Sequence, residues 1–442
     1  MRGKHWIGML LLIASLGVSV WVGLPIGRSV PGGSVDLQVI YYGTKCLLQR
    51  HDPYTLEELR SEYISARKGA AATSTESPEL VAVYIYLPPA FLAVAPLAVL
   101  PWPVAQMLWM AVLLGALFAA GVLMAQAGSR DASRLALFLA CLVLANCEIG
   151  VALANSAVLV VSLCAIVTWC FLRQRGVSLA IILLALALAI KPHDAILVCF
   201  YFLLAGSVYR RSAMKALVLV GIVGLTAALW VGRIAPHWPQ EWRANMAAEA
   251  APGGISDPSL NASKGRTAGQ VIDLQAALSV LEDNASFYNP AAYAICCGLT
   301  VIWVLTTVRA KFSETKAWLA MATIVPLSLL PTYHRPYDAK LLLLAIPACA
   351  MLWRAGGWRG WVAVAVTTTT IVLTADIPLS LISNATESVD ISRMGLLERV
   401  GMIPVVRPVP LALLAMAVFY LWVYARAVRG SSELQGPLIH GA

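Results

Sequence analysis

Apolar residues fill the chain in long runs that are separated by short polar stretches. The first run extends from Trp6 to Ile26 and follows a basic start. Further runs lie at about 103–126, 135–151, 156–172, 177–190, 193–208, 216–232, 291–308, 317–331, 339–353, 359–375 and 409–425. A helix that crosses a bilayer needs about 20 mainly apolar residues. The pattern therefore predicts an all-α polytopic membrane protein with about twelve transmembrane helices, which we treat as one integral-membrane domain over 1–442.

Composition excludes two broad classes of protein. The 442 residues are 60% hydrophobic and 12% charged, whereas soluble domains are about 45–50% apolar and about 25% charged. Intrinsic disorder needs low hydrophobicity, so it is excluded as well. The net charge of +9 comes with no basic cluster beside stacking aromatics on a polar domain, and we expect no nucleic-acid partner. The sequence leaves the oligomeric state open.

Lysine and arginine divide unevenly between the connections. If the N-terminus is cytoplasmic, half of the 32 Lys and Arg residues fall in short inner connections that hold few acids. Positive charge of this kind marks the cytoplasmic side. We therefore predict a protein of the cell inner (plasma) membrane with cytoplasmic N- and C-termini. The long connections 27–102, 233–290 and 376–408 are then extracytoplasmic.

The first long connection, 27–102, contains two predicted interfacial helices. Apolar residues recur at helical spacing from Leu37 to Leu48, and a second apolar stretch, 90–101, is too short to span. Asp36 starts the first of these helices, where the helix dipole favours the ionised carboxylate. It is a candidate proton acceptor, and a plain helix N-cap is the alternative. Tyr86 precedes the second helix, as either a contact to a lipid-linked ligand or an interfacial aromatic anchor.

The runs 177–190 and 193–208 are short and are interrupted by Lys191-Pro192-His193-Asp194. Interrupted segments of this kind tend to line cavities. Lys191 and His193 are candidates for holding an anionic phosphate, with Asp194 as their counter-ion. The alternative is a self-satisfied pair of Lys191 and Asp194.

A second polar cluster, Tyr333 to Lys340, follows the ninth run. Arg335 can grip a phosphate bidentately, and His334 can donate a further hydrogen bond. Tyr337 offers a ring for a sugar or an isoprenoid, and Asp338 completes the set of candidate donor-binding residues. The alternative is a group of helix-end side chains that reach toward water. Glu148 and Asn155 are also polar, and we interpret them mainly as capping residues.

The nine cysteines form no CxxC motif and no Cys/His set with zinc spacing. We expect neither a disulfide framework nor a metal site, and no cofactor.

Taken together, five short segments resemble glycosyltransferase family 87, within the GT-C class of membrane glycosyltransferases. They are Asp36-Leu-Gln-Val-Ile-Tyr-Tyr, His51-Asp-Pro-Tyr, Tyr86-Leu-Pro-Pro, Lys191-Pro-His and Tyr333-His-Arg-Pro-Tyr-Asp. The resemblance runs along most of the chain. It implies a GT-C-like fold and a polyprenyl-phosphate-dependent hexosyltransferase, similar to the mannosyltransferases of envelope synthesis.

The resemblance also implies a reaction. A mannose-like sugar would pass with inversion from a polyprenyl-phosphate donor to a glycolipid or glycan acceptor at the extracytoplasmic face. Asp36 would be the general base, and Lys191, His193, His334 and Arg335 would stabilise the leaving phosphate. Two other classes stay open: a lipid-linked saccharide transporter or flippase, and a non-catalytic envelope-assembly protein. A transporter would need charges spread through the membrane and an internal repeat.

Overall fold

The computed structural model describes residues 2–28, 34–68, 83–260, 270–386 and 389–430. Across these ranges the regular secondary structure is helical and contains no strand, which confirms the all-α prediction. The N-terminal helices are α1 (Arg2–Arg28), α2 (Val35–Leu48), α3 (Leu56–Lys68), α4 (Pro88–Ala98), α5 (Trp102–Ala145), α6 (Glu148–Ala152) and α7 (Ser156–Arg173).

The rest of the described chain continues the pattern. The helices are α8 (Val177–Ile190), α9 (Pro192–Leu204), α10 (Ser207–Ile234), α11 (Trp238–Ala250), α12 (Leu274–Leu278), α13 (Ala285–Arg309), α14 (Glu314–Leu329), α15 (Ile346–Ala355), α16 (Gly357–Leu373), α17 (Asp376–Thr386), α18 (Leu396–Val406) and α19 (Pro408–Arg429). A 3-10 helix, Asp338–Ala345, precedes α15, and a short one, Ile391–Arg393, precedes α18.

Six helices in the described ranges are long and apolar enough to cross a membrane, and a seventh span arises if α16 and α17, bent by 70°, count as one. The predicted number of about twelve is not confirmed. One reason is that α5 runs through two predicted spans, with a break in helical backbone at Ala132 (φ −146°, ψ 82°). Another is that α8 and α9 have only 14 and 13 residues, less than the length of a full crossing.

The core forms where apolar helix faces meet, chiefly among α5, α7, α14, α15 and α19. Outward faces of α1, α10 and α13 keep large apolar side chains exposed, such as Trp21 and Leu225. Exposed apolar faces on long helices suit contact with lipid. This arrangement agrees with a membrane protein.

A smaller aromatic core joins α2, α3 and α4. The Tyr84 ring stacks on Phe91 with ring centroids 4.7 Å apart and planes 7° apart. Gly43 of α2 lies directly against that ring: a Cβ placed there would be 2.3 Å from Tyr84 Cε2. Most of α2, from Leu37 to Thr44, is buried. The predicted position of α2 on the membrane surface is therefore not confirmed, because α3 and α4 cover its faces.

Two of the groups of charged residues bear on the predicted topology. At one end of the bundle, Arg173 pairs with Glu314 (2.9 Å) and Arg354 pairs with Asp131 (3.1 Å). These are all residues of the predicted cytoplasmic connections. The other group, described next, contains the buried acidic residues that the sequence placed in the opposite connections.

Candidate functional site

Asp36 lies at the start of α2, against the turn that joins α6 to α7. Its backbone N–H donates to the Leu153 carbonyl (3.2 Å). The turn contains Ala154 with a positive φ of 51°, and Trp109 Nε1 donates to the Ala154 carbonyl (2.9 Å). Asp36 is half-buried as a whole residue, and its carboxyl group lies in a desolvated environment.

Asn155 fixes the Asp36 carboxylate with the same amide that caps α7. Its Oδ1 accepts the Ala157 N–H (2.7 Å), and its Nδ2 donates to Asp36 Oδ2 (2.5 Å). The cap decides which way the amide is turned, because a backbone N–H can only donate. The interpretation of Asn155 as a capping residue is confirmed, and its second bond adds a contact to the candidate base.

The pKa of Asp36 lies above its ordinary value. Desolvation raises it, and the Asn155 hydrogen bond and the charges of Arg335 and Lys191 offset only part of that rise. Burial thus acts against the effect that we expected from the helix dipole, and the net shift of the pKa of Asp36 is upward. A raised pKa makes the ionised carboxylate a better proton acceptor.

Lys191 joins the two polar clusters, 191–194 and 333–340, which are separate in the sequence. It lies at the break between α8 and α9, where its Nζ binds Asp338 Oδ1 and lies 3.4 Å from Asp194 Oδ2. The same Nζ lies 5.3 Å from the centroid of the Tyr337 ring. The pair of Lys191 and Asp194, our alternative interpretation, is present. Because Asp338 also binds the Lys191 ammonium group, the pair of Lys191 and Asp194 is part of a larger charged cluster.

Arg335 is held mainly by backbone and amide groups. Its backbone N–H donates to Asp338 Oδ2 (2.7 Å). The guanidinium donates to the Ile255 carbonyl (3.1 Å) and, over 3.4 Å, to Gln270 Oε1, while its Nε is buried without a hydrogen-bond partner in the described part of the chain. Since no carboxylate in the described ranges forms an ion pair with the guanidinium, its charge is available to an anion.

The connection 233–290 contributes to this site. Ile255 and Gln270 contact Arg335, and the Ile272 N–H donates to the His334 carbonyl (3.0 Å). Sequence patterns did not point to Ile255 or Gln270, because a backbone carbonyl and a single glutamine form no recognisable motif. This part of the connection therefore shapes the site directly.

Tyr86 lies beside Asp36. Its hydroxyl lies 3.2 Å from Ser156 Oγ, and its carbonyl accepts the Tyr54 hydroxyl (2.9 Å). Burial raises the pKa of Tyr86 to about 12, and the Asp36 charge adds to the rise. These contacts hold Tyr86 inside the protein beside Asp36, and the choice between a ligand contact and an interfacial anchor stays a prediction. Ser156 is a neighbour that the sequence did not single out.

His193, Asp194 and His334 come together in a group that could hold a metal ion. One ligand atom from each lies within 4.8 Å of the others. The two imidazole rings have centroids 5.2 Å apart. The expectation of no metal site rested on sequence spacing, which cannot reveal residues as far apart as 193 and 334.

A second group of charges lies beyond the site. Glu148, Lys340 and Asp376 interact electrostatically, and Asp376 Oδ2 accepts the Ile149 N–H (2.9 Å). Glu148 was expected to be a simple cap, but it is buried and belongs to this charged group.

Comparison with known proteins gives a family. A model of glycosyltransferase family 87 matches residues 84–332, which is more than half of the 442 residues. No curated protein and no solved structure matches the chain. The match includes Tyr86, Asn155 and the Lys191–Asp194 segment, and ends just before His334.

Proposed function

The chain belongs to glycosyltransferase family 87 and is a membrane glycosyltransferase, and on that premise we propose what it transfers and how. The proposed reaction moves a mannose-like hexose from a polyprenyl-phosphate donor to a glycolipid or glycan acceptor. It takes place at the extracytoplasmic face of the cell inner membrane and inverts the anomeric centre. Family membership favours a transferase over the transporter and the non-catalytic alternatives.

Asp36 is the proposed general base. One of its carboxylate oxygens takes the proton of an acceptor hydroxyl as that oxygen attacks the anomeric carbon. The bond between the anomeric carbon and the phosphate oxygen breaks at the same time, and polyprenyl phosphate leaves with the electron pair. The observation that carries this proposal is a carboxylate that Asn155 orients (2.5 Å) within electrostatic reach of Arg335 and Lys191.

Cationic residues around Asp36 are proposed to receive the leaving phosphate. Arg335 is the best placed, since its guanidinium has no carboxylate partner among its described hydrogen bonds. Lys191 contributes a charge that Asp194 and Asp338 hold in position. Fixed cations at the point where negative charge develops lower the barrier without reorganisation.

The remaining candidates have supporting roles in this proposal. His193 and His334 border the phosphate position, and the Tyr337 ring, which packs under Lys191 Nζ, offers a face for the sugar. Tyr86 closes the side next to Asp36. We expect the lipid bilayer to be a partner, since the donor carries a polyprenyl chain and the acceptor is a glycolipid or a glycan at the membrane face.

The separation of charges supports the proposed orientation. Arg173, Glu314, Asp131 and Arg354 form ion pairs in connections that the positive-inside rule assigns to the cytoplasm. The site residues belong to the opposite connections. An extracytoplasmic site follows if the N-terminus is cytoplasmic.

The test is sugar transfer by purified protein in lipid nanodiscs with a polyprenyl-phosphate-mannose donor. Asp36→Asn is expected to lower turnover by about 10²–10⁴-fold while the donor still binds. Asp131→Asn, which changes an acid at the other end of the bundle, is the matched control and is expected to retain transfer. Unchanged turnover in Asp36→Asn would reject Asp36 as the base.

A further inference from the structure

We propose that His193, Asp194 and His334 form a binding site for one divalent transition-metal ion of the zinc class. Two imidazoles and one carboxylate make a donor set that suits such ions, and three protein ligands leave one position open. The ligand atoms already lie within 4.8 Å of one another.

The tautomer of His334 supports the site. Its Nδ1 lies 2.8 Å from the Thr332 carbonyl oxygen, which can only accept a hydrogen bond, so Nδ1 carries a proton. In a neutral imidazole, Nε2 then presents a lone pair. Metal-binding histidines commonly donate their other ring N–H to a backbone carbonyl or a carboxylate in this way.

His334 Nε2 lies 3.3 Å from Asp194 Oδ1, and the two form an ion pair when the imidazole is protonated. When the imidazole is neutral with its proton on Nδ1, Nε2 and Oδ1 are both acceptors, and a metal cation between them would satisfy both. For a tetrahedral ion with ligands at about 2.1 Å, neighbouring ligand atoms are about 3.4 Å apart, which the observed separation fits.

The other two ligands also suit an ion. Asp194 Oδ2 faces Lys191 Nζ at 3.4 Å, and this leaves Oδ1 for the metal. His193 is the exposed member of the group, and its ring lies beside that of His334, with centroids 5.2 Å apart. The Asp194 and His334 side chains are fully or almost fully buried, and this keeps competing water away.

Charge explains what the ion would contribute, and this step rests on the proposed function. The carboxylates of Asp36, Asp194 and Asp338 outnumber the cations of Lys191 and Arg335 by one. A divalent ion reverses that balance to a net positive charge, which favours a phosphate. The open position then takes an oxygen of the donor phosphate and stabilises the charge that appears as the glycosidic bond breaks.

The experiment measures metal binding directly. Full-length protein without a histidine tag is purified in detergent, stripped with a chelator and titrated with Co²⁺ and then Zn²⁺. One ion per chain is expected, with the visible absorption bands of four-coordinate Co²⁺ and their loss on zinc addition. His193→Ala is expected to weaken metal binding at least tenfold. His237, which is also exposed, provides the matched control: His237→Ala is expected to leave the metal affinity unchanged.

Each outcome has a separate meaning. No bound ion, or equal binding by wild type and His193→Ala, overturns the metal site and leaves a protonated His334 paired with Asp194. Because His193 is exposed, its variant is expected to fold, which keeps the comparison valid. Binding that persists in Asp36→Asn supports the site even if transfer proves absent. Full transfer by the stripped protein overturns the phosphate role alone.

Discussion

The hydrogen bond from Asn155 to Asp36 offers the sharpest test of the proposed base. Asn155→Ser keeps a side chain that caps α7, since serine is about as good an N-cap as asparagine. The shorter side chain cannot also donate to Asp36 Oδ2, which the amide reaches at 2.5 Å. The variant therefore removes the contact to the base and leaves the helix start intact.

The size of the effect follows from the strength of that bond. A hydrogen bond to a charged group contributes about 1.5–3 kcal/mol, and one pKa unit corresponds to about 1.36 kcal/mol. Loss of the bond destabilises the ionised carboxylate, so the pKa of Asp36 rises by about 1–2 units. The base works only when ionised, and activity falls as the pH drops through this pKa. The acid limb of kcat/KM is therefore expected to move to higher pH by about 1–2 units.

The assay is the pH profile of sugar transfer in nanodiscs, with melting temperature measured in parallel. Asn146→Ser, which removes an amide that donates to the Leu142 carbonyl, is the control and is expected to leave the profile unchanged. Asn155→Asp keeps the cap but places a second carboxylate beside Asp36, and a larger shift is expected. An unshifted acid limb in a normally folded Asn155→Ser variant would refute the role of Asp36 as base.

Two further predictions concern stability. Gly43→Ala places a methyl group against the stacked Tyr84 ring and is expected to cost about 1–3 kcal/mol, seen as a lower melting temperature. Gly221→Ala is the control: a Cβ at this position has no heavy atom within 4 Å, so the substitution is expected to be neutral or slightly stabilising. Equal melting temperatures for the two variants would contradict the packing of Gly43 against Tyr84. Burial, with a contribution from Asp376, raises the pKa of Glu148 from 4.5 to about 7. The folded protein therefore favours the protonated Glu148 side chain. The stability that this preference contributes is lost as the pH rises from 4.5 to about 7. Glu148→Gln should flatten the fall in melting temperature between pH 4.5 and about pH 7, the interval between the ordinary and the raised pKa of Glu148. An identical pH slope in both proteins would count against the assignment.

The helices were largely predictable because their apolar runs are long. A run such as that of α7 must be helical wherever water is absent, since its backbone groups have no other partners. The number of crossings was not predictable in the same way. Hydropathy does not reveal that the two helical segments of α5 join at a single break at Ala132, nor whether α8 and α9 pair as one interrupted element.

The site was predictable only in part, because its chemistry depends on contacts between distant segments. Asp36 stood out through its place at a helix start, but the direction of its pKa shift is set by burial, which local sequence does not contain. Lys191 and Asp338 each stood out in separate clusters. Their ion pair, which joins the clusters, required the three-dimensional fold.

These distant contacts also set the order in which the site can be assembled during synthesis. Asp36 and Asn155 are separated by 119 residues, and Lys191 and Asp338 by 147. Until about three quarters of the 442 residues have been made, Lys191 has only Asp194 as a counter-charge and His334 does not yet exist. Before that point, the polar break between α8 and α9 has only the internal pair of Lys191 and Asp194, and the ion pair with Asp338 forms late.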